Sequence, residues 1–98
     1  MEVQFPLVMQ IVNPVLSVML SESGGIILIV FSERVMNFGV EHIEVTGGTI
    51  DDLVGDSRQF QCPYTKTGET MTVRIPAGAV ACYMLADCWN TESNTLEL

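Results

Sequence analysis

Three cysteines, one histidine and a short run of aspartates are the residues through which this 98-residue chain could do chemistry. Cys82 and Cys88 stand close enough in sequence for a disulfide to close the loop between them. Such a closure would stabilise the fold by about 2–3 kcal/mol in the chain-entropy view. The alternative is a pair of small buried thiols. Cys62 shares a face with Phe60 and Tyr64 in an alternating run, so it is expected to be buried; a bond to another chain is the second reading. Zinc finds no ligand set, because no C-x-x-C pair exists and His42 lies far from every cysteine. Asp51, Asp52 and Asp56 form the densest acidic cluster and are the weak metal candidates. Ca²⁺ wants roughly six to eight oxygens. The run lacks the D-x-D-x-D-G spacing that would supply them, so a solvated acidic turn is expected and no cofactor is assigned. His42 alternates with Ile43 and is expected to face solvent, with no cysteine beside it to activate. Gly24-Gly25 and Gly47-Gly48 read as turns rather than phosphate loops. No catalytic residue emerges, and the chain is not read as an enzyme.

Charge and hydropathy narrow the remaining classes. Four Lys and Arg against twelve Asp and Glu give a net charge of −8. Phosphate backbones are bound by clustered cations, so nucleic acid is excluded as a partner, and anionic membrane surfaces are disfavoured for the same reason. Hydrophobic residues make up 48% of the chain, too many for a disordered segment. The apolar stretches 7–12, 15–20 and 26–31 are broken by Asn13-Pro14 and by residues 21–25, and none reaches the ~20 residues of a spanning helix. No membrane insertion is expected. With no Lys or Arg before Arg34, the charged start of a secretory leader is missing, and the chain reads as a mature segment or a piece of something longer.

The elements that must position these residues are short and β-rich. Residues 26–31 are six consecutive apolar side chains, a strand length opened by two glycines. Ile43 and Val45 alternate with Glu44; Phe60, Cys62 and Tyr64 alternate with Gln59, Gln61 and Pro63, where proline suggests an edge. Met71, Val73 and Ile75 against Thr72 and Arg74 carry the cleanest period of two. Residues 94–98 alternate again, and only residues 80–86 would tolerate a turn or two of helix. About seven strands at this spacing predict an all-β, antiparallel β-sandwich in one domain over residues 1–98. Inner faces are assigned to Leu28, Val30, Ile43, Val45, Phe60, Met71, Val73, Ile75 and Leu96, although both faces of residues 26–31 are apolar and either could point inward.

Three separated segments then resemble one family. Phe31-Ser32-Glu33-Arg34-Val35-Met36-Asn37-Phe38, with His42-Ile43-Glu44-Val45-Thr46-Gly47-Gly48 after it, is similar to the F-S-E-P-V element and T-G-G strand end of bacterial-type Ig-like repeats. Met71-Thr72-Val73-Arg74-Ile75-Pro76-Ala77-Gly78-Ala79 resembles their V-P-A-G-A corner, and Asn90-Thr91-Glu92-Ser93-Asn94 their A-S-N close. The likeness covers residues 26–98; residues 1–25 match only loosely. Arg34 stands where the family has proline, and an apolar loop, 82–89, replaces its D-x-x-G-N loop. The resemblance implies an Ig-like sandwich serving as a structural and adhesive spacer in large extracellular, cell-surface or fibrillar proteins. Its extracellular setting also favours the disulfide reading of Cys82 and Cys88. A ligand-binding module for a glycan, a protein or Ca²⁺ is the alternative.

The N-terminal third departs most from an ordinary soluble domain. Residues 1–31 hold nineteen apolar side chains and no cation, with both faces apolar in the runs 7–9 and 18–20. A two-layer sandwich buries one face of each strand. Leu7, Met9, Val18, Met19 and Leu20 are therefore expected to pack against a neighbouring domain or subunit. Tyr83 and Trp89, with Met84, either plug the open end of the core or join that contact.

Overall fold

The computed structural model describes residues 15–83 and 88–98. Leu7, Met9 and Met84 lie outside them. The described chain is an antiparallel β-sandwich of ten short strands, joined by turns and a single 3₁₀ turn at Val40–His42.

The larger sheet begins with a hairpin. β1 (Val18–Ser23) and β2 (Ile26–Phe31) pair with Ser23 opposite Ile26, leaving Gly24 and Gly25 as a two-residue loop. Their φ angles, 59° and 84°, are the positive values that a right-twisting two-residue turn requires. β2 then pairs with β7 (Gln59–Lys66), whose far edge carries β5 (Gly48–Ile50) and β6 (Val54–Asp56). The second sheet orders β10 (Leu96–Glu97), β8 (Thr72–Arg74) and β4 (Glu44–Thr46). A small ribbon of β3 (Val35–Met36) and β9 (Ala81–Cys82), extended by a bridge from Ala81 to Trp89, closes one end.

Between the layers lie Leu16, Ile27, Ile29, Phe31, Cys62, Met71, Val73, Ile75 and Val80, all essentially buried. Phe31, Phe38 and Phe60 meet edge to face with centroids 5.0–6.0 Å apart. That trio decides the parity of β2. Seating Phe31 inward carries Ile29 and Ile27 with it and turns Val30 and Leu28 outward. The inner-face assignment of Leu28 and Val30 is thus reversed, while Ile43, Met71, Val73 and Ile75 are buried as expected. Val45, Phe60 and Leu96 are half-buried and pack against the core.

Ten strands stand among the described residues where about seven were expected: residues 94–98 supply β10 as expected, whereas β3, β5, β6 and β9 are pairings of two or three residues, too short to show a period. Of the window 80–86, Ala81–Cys82 is strand β9, and 84–86 lie outside the described residues. Pro63 sits in central β7, not at an edge. Its carbonyl faces Asp51 in the gap between β5 and β6, accepting the Asp51 N–H at 2.9 Å, so the missing proline N–H breaks no strand ladder. No described helix is long and apolar enough to cross a membrane.

Candidate interaction surfaces

The polar residues of the closing motif are turned onto the backbone. Asn90 is buried, and its Oδ1 accepts the N–H groups of Ala79 (2.8 Å) and Val80 (2.7 Å). Its Nδ2 donates to the carbonyls of Pro76 and Thr91, both at 2.9 Å. The Pro76-Ala77-Gly78-Ala79 corner, with Gly78 at φ 75°, is thereby tied to the start of the last segment through one amide. Ser93 Oγ accepts the Ile75 N–H at 2.8 Å. Asn94 accepts the Leu20 N–H at 2.8 Å and donates to the Leu20 carbonyl at 3.0 Å. This last pair occupies the outer edge of β1, where open backbone groups would invite another strand.

Beside this knot, Cys82 and Cys88 form a disulfide with their Cα atoms 5.3 Å apart. The Cys82 N–H donates to the Cys88 carbonyl at 2.8 Å, so the bond reinforces a strand-like pairing. With both sulfurs in the core, the neighbouring side chains must alternate outward. Tyr83 and Trp89 are accordingly exposed and do not plug the core. The Arg34 guanidinium lies over the Tyr83 ring, 4.8 Å from its centroid, and the Tyr83 N–H donates to the Arg34 carbonyl. Arg34 and the start of the apolar 82–89 segment thus touch through Tyr83.

A second apolar surface covers the outer face of the larger sheet. Met19 is 61% exposed, Val54 59% and Val30 41%, and Met19 stands directly across from Val30. Leu28, Val30, Val54, Gln59 and Gln61 border a shallow hollow of about 330 Å³. Val18 and Leu20 do not belong to this surface. They pair with Phe31 and Ile29 on the inner side of the sheet and are buried in the chain's own core, which corrects their assignment as contact residues. The double-sided apolar run 18–20 is thus split by the pleat, with only Met19 outward.

The aspartates are not brought together. Asp51 N bonds Pro63 and Asp56 pairs with Gln59, so about 13 Å of β7 separates them. Asp51 and Asp52 instead border a groove with Phe38, Glu41, Ile50 and Leu53. Among the described residues, no three His, Cys, Asp or Glu side chains converge as metal ligands would. His42 is half-buried rather than solvent-facing: its Nδ1 accepts the Gly39 N–H at 3.1 Å and its ring stacks on Phe38. Cys62 is a buried free thiol, and burial, with the Asp51 charge second, pushes its pKa up. A raised pKa keeps the thiol protonated and unreactive. Tyr64 is likewise shifted up, by desolvation and then by its bond to Glu22, 3.2 Å away.

Three features escaped sequence reasoning: the Asn90 hub, the Arg34–Tyr83 contact and the outward Val54. Only Asn90 left a trace, as a motif position whose polarity had no stated task. No known protein family, curated protein or solved structure matches the chain.

Proposed function

We propose that the chain is an Ig-like structural and adhesive module, a spacer and contact surface in an extracellular or fibrillar multi-domain protein. The observation that carries this reading is the employment of the motif's polar groups. Asn90, Ser93 and Asn94 spend their hydrogen bonds on the chain's own backbone, while large apolar side chains are left outside. A module built to hold a shape and to touch neighbours has this division of labour. The Cys82–Cys88 disulfide supports an oxidising location. Neighbouring domains or subunits of the same assembly are the partners.

Labelling intact source cells with an antibody against the chain tests the proposal. Labelling before permeabilisation is expected; labelling only afterwards contradicts it. A second, ligand-binding reading gives the exposed loops a glycan, a protein or Ca²⁺ to hold; for Ca²⁺, the groove bordered by Asp51, Asp52 and Glu41 offers carboxylates that are not gathered as a ligand set. Calorimetry with CaCl₂ decides that reading: micromolar binding with a large rise in melting temperature would favour it over the spacer.

A further inference from the structure

We infer that the outer face of the β1–β2–β7–β6 sheet is a self-association surface whose occupant is a second copy of this chain. The inference rests on the contact-surface part of the proposal above and adds the partner and the geometry. Met19 projects from β1 as a knob, and the hollow bordered by Leu28, Val30 and Val54 lies across β2, β7 and β6 of the same face. Knob and hollow on one face are the condition for a two-fold contact, because each copy offers what the other receives. An axis running along the strands between two apposed sheets places β1 of one copy over β7 and β6 of the other. Each Met19 then enters the opposite hollow. Methionine suits the task, being unbranched and able to fill an irregular gap.

Charge points the same way. The molecule carries −8, yet Met19, Leu28, Val30 and Val54 are interleaved by register with Ser21, Gln59 and Gln61. The one ionisable side chain in these rows is Asp56, at the corner. The contact is therefore nearly free of like-charge opposition, which the rest of the surface would meet. Three strands about 20 Å long and the shorter β6, about 10 Å, spaced about 4.8 Å apart, offer on the order of 300 Å² per copy. A standard interface buries about 800 Å² per partner, so the free chain should form a weak dimer. Tethering in tandem would raise its occupancy by effective concentration.

Sedimentation velocity of the full oxidised chain from about 10 μM to 1 mM tests this. A reversible monomer–dimer equilibrium is expected, strengthening with NaCl as the net charges are screened. Met19→Glu should weaken it at least tenfold. Val40→Glu adds the same charge at an exposed residue of the 3₁₀ turn and should leave it unchanged. Far-UV circular dichroism and an intact disulfide establish that each variant folds. A monomer at every concentration overturns the inference, as does a dimer weakened equally by both variants. Protection of Met19 from peroxide in a monomer would instead place another part of the chain on the face, and also overturns it. None of these failures touches the cell-surface test, so the spacer reading falls or stands separately.

Discussion

Asn90 shows how much a single buried amide can hold. Four of its hydrogen bonds go to backbone groups of the 76–80 corner and its own neighbour. Asn90→Ala takes the partner from two N–H groups and two carbonyls, at about 1–3 kcal/mol for each one left unsatisfied before relaxation. A net loss of about 2–4 kcal/mol is expected in urea unfolding. Asn90→Asp keeps the acceptor for Ala79 and Val80 but loses the donor, and should fare no better because it buries a charge. Cys62 gives a second prediction at this scale. Its pKa is raised from an ordinary 9.0, so the unfolded chain loses its proton at a lower pH than the folded one. The folded state is then favoured fully below about pH 9 and progressively less above it. Stability measured from pH 7 to 10 should fall at the alkaline end, and Cys62→Ala should flatten that fall. Iodoacetamide should label Cys62 only after unfolding.

At the scale of elements, the Cys82–Cys88 closure ties β9 to the segment bearing Trp89. Its reduction should cost about 2–3 kcal/mol by the loop-entropy argument. For a domain of this size that lowers the melting temperature by roughly 10–20 °C, which scanning calorimetry with and without reductant would register. Strands with a strict period were legible from sequence: Met71, Val73 and Ile75 are buried where alternation places them. The Gly24-Gly25 turn was legible too, since glycine takes the positive φ angles of a tight turn at no steric cost. β2 was legible as a strand but not in its orientation, because both of its faces are apolar and the decision falls to Phe31 meeting Phe38 and Phe60 from distant segments. The short pairings β3 and β9 were invisible, being set by long-range partners. Arg74 illustrates a related limit. It bonds Glu44 of β4 at 2.9 Å and also Glu92, yet nothing in its own strand announces either partner. Both pairs are partly exposed, and each contributes about 0.5 kcal/mol at most.

For the molecule as a whole, the disulfide candidate was legible because two cysteines close in sequence have few other partners. The aspartates 51, 52 and 56, close in sequence, are spread along an extended edge, with about 13 Å between Asp51 and Asp56. Which apolar side chains face outward was legible only in part. Met19, Tyr83 and Trp89 are outside, whereas Val18 and Leu20 serve the core. An apolar run can thus be half core and half surface, and only the pleat says which half is which. The role proposed above is that of an Ig-like contact module stapled in an oxidising compartment. Its most direct test is the cysteine state of the chain isolated from its native source, alkylated at once without reductant and mapped by mass spectrometry. The account predicts Cys82 and Cys88 joined to each other and Cys62 as a free thiol; three alkylated thiols would contradict it.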